Sequence, residues 1–212
     1  MMRILFLTLA VLLTPLPLAA RDVAGRFDYY VLALSWQPTW CSTTGDDRDA
    51  PECRDGTARD FSVHGLWPQY ERGWPQDCTT PERDPSRRES AAMADVMGSG
   101  GLAWYQWKKH GRCSGLSAAG YYDATRQAAE GIVIPPVLDD LARDVAAPPA
   151  VIEEAFLEAN PDLDADGVTI ACRDGALTEV RICLTRDLEP RTCAPDARRD
   201  CDAPRLLIEA VR

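Results

Sequence analysis

Histidine is almost missing from this chain: 212 residues hold two, His64 and His110. Asparagine occurs once, as Asn160 before Pro161, so no N-glycosylation acceptor is present. No pair of cysteines has the Cys-x-x-Cys spacing, which argues against a zinc ribbon and a thioredoxin-like redox site. Beyond residue 20 no apolar run approaches the length needed to cross a bilayer, so no membrane anchor is expected. Linker-like tracts, internal repeats and low-complexity segments are also missing, so residues 21–212 read as a single domain. Positive charge is in short supply. The formal net charge is −10, which opposes non-specific binding to a polyanion but permits a local basic cleft.

What is present begins with an exported-protein pattern. Met1-Met2-Arg3 is followed by a run from Ile4 to Leu13 that is apolar apart from Thr8, then Pro15, Pro17 and the small residues Ala19 and Ala20. This is the plan of a secretory signal peptide over residues 1–20, cleaved after Ala20, and it implies a periplasmic or extracellular protein. Removing it leaves 22 basic against 33 acidic residues, a net of −11. All eight cysteines lie after that point, an even number that predicts four disulfides while leaving their pairing open. A Cys113–His110 thiol hydrolase is excluded by the same parity, because a free nucleophile would strand one cysteine.

The element pattern mixes strands and helices. Phe27 to Trp36 is aromatic and β-branched, apolar on both faces, and predicts a central strand ended by Pro38. Phe61 to Leu66 predicts a second strand, with Phe61 and Val63 on one face and Ser62 and His64 on the other, broken by Gly65 and Pro68. Helices are expected over 85–97, with Ser86 as cap and Gly98-Ser99-Gly100-Gly101 as stop, and over 102–110 and 117–130. Two more should begin at Pro135-Pro136, running to Val145, and at Pro148-Pro149. Strands over 168–172 and 178–185 should pair through a turn at Asp174-Gly175, with a last strand over 206–211.

Within 102–110, Gln106 and His110 lie four residues apart, as do Tyr105 and Lys109, so these four share one helical patch. Trp107 points the other way, into the core, and Lys108 and Arg112 are expected to face solvent or phosphate. Asp162-x-Asp164-x-Asp166-Gly167 imitates the start of a calcium loop, but its twelfth position is Arg173, a cation where a carboxylate should close the shell.

Two histidines beside glycine and tryptophan suggest an acid–base pair, since imidazole exchanges protons near neutrality. His64-Gly65-Leu66-Trp67-Pro68 and Trp107-x-Lys109-His110-Gly111-x-Cys113 resemble the two active-site segments of the ribonuclease T2 family. The likeness extends to Ser-Trp-x-Pro-x-x-Cys at 35–41, Ile170-x-Cys172 and Glu179-Val180-Arg181-Ile182-Cys183. It implies an α+β fold, a central antiparallel sheet flanked by helices, and metal-independent, cofactor-free cleavage of single-stranded RNA by a monomer. His110 would be the general base, His64 the general acid and Lys109 the stabiliser of phosphoryl charge, with Gln106 also in the catalytic group and Trp67 and Tyr105 on the substrate. The implied disulfides are Cys41–Cys53, Cys78–Cys113, Cys172–Cys201 and Cys183–Cys193. Two positions depart from the family pattern: Tyr105 and Gln106 stand where a histidine and a glutamate are usual. Those changes leave two functional readings, an active ribonuclease and a weakened relative that binds RNA or a protein.

Overall fold

β1 (Tyr29–Trp36) lies between β2 (Phe61–Gln69) and β5 (Ala176–Leu184), antiparallel to both, in a computed structural model that describes residues 22–211 except 55, 56, 58 and 140. The signal-peptide expectation therefore falls outside the described residues. β4 (Val168–Arg173) forms a hairpin with β5, turning through Asp174 and Gly175, both at positive φ. β3 (Val145–Ala147) and β6 (Leu206–Ile208) pair antiparallel, and β6 joins β5 through one parallel pair, Ala176 with Leu207. The sheet is thus mixed rather than wholly antiparallel, within the expected α+β class.

β1 is apolar on both sides because two different cores use it. Tyr30, Leu32, Leu34 and Trp36 face the main core under the helices, together with Phe61, Val63 and Leu66 of β2. Tyr29 and Val31 face a smaller cluster closed by the Cys183–Cys193 disulfide. That second face of the sheet carries the cleft described below. Apolar burial at roughly 25 cal/mol per Å² makes the larger core the main source of stability.

Helices α1 (Gln37–Trp40), α2 (Arg87–Ala91), α3 (Ala94–Met97), α4 (Gly100–Lys109), α5 (Ala118–Glu130) and α6 (Pro149–Ala159) complete the fold. Ser86 and Glu89 form a reciprocal cap on α2. α5 is anchored to β2 by the Tyr121 hydroxyl, which donates to the Leu66 carbonyl at 2.9 Å. Trp107 of α4 and Tyr121 of α5, both fully buried, pack with ring centroids 5.9 Å apart. Gly111 sits against them: a Cβ there would lie 2.7 Å from each ring, so only glycine lets the chain turn this tightly after His110. Four disulfides join Cys41–Cys53, Cys78–Cys113, Cys172–Cys201 and Cys183–Cys193, the pairing the family resemblance implied.

Five expectations need correction. β2 does not stop at Gly65 or Pro68 but runs to Gln69; it is an outer strand, where a proline's missing N–H need not cost a ladder bond. The helix over 85–97 is two short ones, bent at Ala92-Met93 so that Met93 and Met97 are both buried. Gly100 and Gly101 do not end a helix; Ser99 caps α4 and Gly100 opens it, its bare Cα fitting against Ala91, where a Cβ would approach the backbone to 2.8 Å. Among the described residues from Pro135 to Val145 no helix forms. Pro135 supports one turn through Leu138, the Leu141 carbonyl accepts from the Val211 N–H, and Val145 enters β3, so long-range partners take the backbone groups. The last strand ends at Ile208 rather than Val211.

Candidate active site

A β-bulge decides where His64 points. In the β1–β2 ladder Leu34 pairs with Val63 and Ala33 with Gly65, which leaves His64 as the extra residue. Strict alternation would put His64 and Trp67 on opposite faces. The bulge brings them to the same one, where their rings meet edge to face at 5.2 Å.

α4 supplies the facing wall. It packs against β2 with Trp107 in the core, and the predicted Gln106/His110 and Tyr105/Lys109 patch turns toward Trp67. The Trp67 indole N–H donates to Gln106 Oε1 at 2.8 Å, and the Trp67 and His110 rings lie 5.5 Å apart. Gly65 permits this approach, since a Cβ there would fall 2.4 Å from both Gln106 Oε1 and Trp67 Nε1. The Asp77 N–H bonds the Lys109 carbonyl, and Cys78–Cys113 fixes the chain just beyond. Lys109 Nζ lies 5.8 Å from the Tyr105 ring centre.

Both imidazoles line one cleft of about 500 Å³, with Trp67, Tyr105, Gln106 and Lys109 also on its walls. Its remaining lining includes Trp74, Arg181, Asp196 and Arg199. Lys109, Arg181 and Arg199 thus concentrate cations there in a chain of strongly negative net charge.

The two histidines have opposite surroundings. His110 is buried, its Nδ1 has no hydrogen-bond partner, and its pKa is lowered to about 3 by burial first, then by the charges of Lys109 and His64. It stays neutral across the physiological range. His64 is partly exposed, and its Nδ1 lies 2.5 Å from Glu179 Oε1. Arg181 holds the other carboxylate oxygen through Nε at 2.8 Å and a terminal nitrogen at 2.7 Å. Burial works to raise the Glu179 pKa, but the His64 hydrogen bond and the Arg181 charge outweigh it, so the group lies below its ordinary value. Glu179 is therefore ionised and can only accept, which makes His64 Nδ1 the donor. The Arg181 guanidinium also stands 5.4 Å from the Trp67 ring centre.

Every site residue expected from sequence reaches this cleft: His64, Gln106, Lys109, His110, Trp67 and Tyr105. Lys108 and Arg112, both part-exposed, lie outside the cleft. Both turn to Asp84, Arg112 through one terminal nitrogen that reaches both carboxylate oxygens at 2.7 and 2.9 Å, and Lys108 at 3.5 Å. Asp84 also accepts from the Trp107 indole, so these cations buttress the far side of α4. Glu179, Arg181, Trp74 and Arg199 were not picked out. For the first two a signal existed: acidic and basic residues two apart in a buried strand must share a face. Two of the calcium-like carboxylates have other work. Asp164 accepts from the Asp166 N–H, and Asp166 pairs with Arg198.

Comparison with known proteins converges on one family. The model of the ribonuclease T2 family matches residues 27–193. A ribonuclease of Aeromonas hydrophila is 33% identical over 202 residues, covering 91% of this chain and 90% of that protein. Ribonuclease I of Escherichia coli (strain K12) is 34% identical over 139 residues, 46% of this chain and 51% of that one. Among solved structures, the RNase-related protein from Calystegia sepium superimposes with a TM-score of 0.69 at 19% identity, covering 87% of this chain and 98% of its own. RNase NT in complex with 5′-AMP gives 0.60 at 23% identity, covering 85% and 97%. At such identities these two likenesses show the fold.

Proposed function

The chain belongs to the ribonuclease T2 family, and from that footing we propose an exported, metal-independent endoribonuclease that cleaves single-stranded RNA through a 2′,3′-cyclic phosphate. The observation that carries the reading is that both imidazoles of the chain flank Trp67 in one cleft, with the Lys109 ammonium on the same wall.

The scissile phosphodiester sits between the two rings. Neutral His110 takes the proton of the 2′-hydroxyl, whose oxygen bonds to phosphorus, and His64 Nε2 gives its proton to the departing 5′-oxygen as the P–O bond breaks. The products are a 5′-hydroxyl and a cyclic phosphate, with the proton moved from His64 to His110. The depressed pKa of His110 keeps the base form populated, while the partly exposed His64 already has a carboxylate on its far nitrogen. Lys109 meets the charge that grows on the phosphoryl oxygens, a preorganised electrostatic role. Gln106 spends its oxygen on Trp67, leaving its amide N–H groups for a phosphoryl oxygen. Tyr105 and Trp67 offer aromatic faces to bases. The requirement for a 2′-hydroxyl selects RNA over DNA.

Losing one charge-assisted contact through Gln106 or Tyr105 costs on the order of 1.5–3 kcal/mol. Enzymatic accelerations exceed about a millionfold, or roughly 8 kcal/mol, so the substitutions slow the reaction without abolishing it. Four disulfides and the apolar segment at residues 4–13 support export to a periplasm or the medium. RNA turnover in the presence of a chelator, with mass analysis of the fragment ends, tests the whole reading. Cyclic phosphate ends are expected; RNA binding without cleavage would favour the weakened-relative alternative.

A further inference from the structure

We propose that Glu179, clamped by Arg181, is the positioning residue for His64 and holds it with its transferable proton toward the scissile bond. The inference rests on the ribonuclease reading above and deepens it. A carboxylate in the middle of β5 is out of place: its neighbours Val180 and Ile182 are fully buried, and Glu179 itself is 9% exposed. Burying a carboxylate is a poor way to gain stability, since apolar residues of similar size do as well. Its position has a clear geometric use. Register aligns Ser35 and Glu179 across β1, and Ser35 with Ser62 of β2, so the carboxylate stands beside the strand segment that carries the bulged His64.

Each oxygen of Glu179 has one task. Oε1 accepts from His64 Nδ1, and Oε2 accepts two N–H groups of Arg181, a planar fork that stops the carboxylate from rotating. With Nδ1 committed as a donor, the only site at which His64 can gain and lose a proton is Nε2. Both ring orientation and tautomer are thereby set from behind, without Glu179 touching the phosphate. A bulged residue on an outer strand needs such a restraint, because the ladder does not hold it.

The experiment separates this role from a merely structural one by changing the leaving group. A 5′-alkoxide must be protonated as it departs, whereas 4-nitrophenolate leaves without a proton. Rates of Glu179→Gln and His64→Ala are measured on RNA and on the 4-nitrophenyl ester of a nucleoside 3′-phosphate. Glu179→Gln is expected to lose about 10- to 100-fold on RNA, the worth of one charge-assisted bond, and to stay within about twofold of the parent on the aryl ester. His64→Ala should show the same selectivity with a larger loss. If Glu179→Gln slows both substrates alike, or leaves RNA cleavage untouched while His64→Ala abolishes it, the positioning role is overturned and the ribonuclease reading stands. If His64→Ala cleaves RNA normally, the acid assignment falls and this proposal with it.

Discussion

Replacing His110 by glutamine should make the protein more resistant to mild acid, because the native site refuses a proton that the unfolded chain accepts. The His110 pKa is lowered from 6.5 to about 3, chiefly by burial and then by Lys109 and His64. A histidine depressed in this way leaves stability intact above its unfolded pKa and drains it as pH falls toward its folded one. Taking 6.5 unfolded and about 3 folded, the loss between pH 7 and pH 4.5 is about 2–3 kcal/mol from this ring alone. Carboxylates with lowered pKa values, among them Asp84 and Asp95, also cost stability in acid, but both proteins share them, so they cancel in the comparison. Urea unfolding of the two proteins at pH 7 and pH 4.5 gives four free energies. The parent should lose about 2–3 kcal/mol more than His110→Gln on going to the lower pH. Parallel losses would refute the claim that His110 sits neutral in its buried position.

Three further outcomes follow from the cleft geometry. Lys109→Ala should lower kcat by about 10- to 100-fold, with KM changed far less, because the charge it meets grows only in the transition state; steady-state kinetics on RNA checks this. Gly65→Ala should drive its Cβ into the Trp67–Gln106 bond, lowering kcat/KM at least about tenfold and stability by roughly 1–3 kcal/mol, which assay and thermal unfolding read together. Activity should favour mildly acid conditions: His110 remains a base there, while carboxylate repulsion of RNA in this acidic chain is relieved. A pH–rate profile peaking above neutrality would contradict it.

Much of the fold was legible because its signals are local. The both-face apolarity of residues 29–36, the Ser86 cap and the Asp174-Gly175 turn each depend on side chains close in sequence. Missed features were settled by distant partners. Pro135 to Val145 has helical spacing, yet β6 and Val211 claim its backbone. Pro68 reads as a strand breaker until β2 proves, among the described residues, to be paired on one side only.

The site follows the same division. Gln106, Lys109 and His110 were grouped by helical spacing alone, and His64 by its motif. That His64 and Trp67 share a face could not be read from alternation, since the bulge at His64 reverses the parity. Lys108 and Arg112 were read as facing solvent or phosphate because Asp84, more than twenty residues earlier, has no local signal linking it to them. One compositional clue went unused: the chain's two lysines are Lys108 and Lys109, both on α4. Of the pair, the structure gives Asp84 to one and the cleft to the other.

Turnover of RNA by His64→Ala and His110→Ala, each beside a thermal unfolding curve, bears most directly on the shared-cleft mechanism. Both variants should stay folded, and each should lose nearly all cleavage, by about a hundred- to ten-thousandfold for an acid–base group. A folded variant of either kind that cuts RNA at close to the parent rate would contradict it.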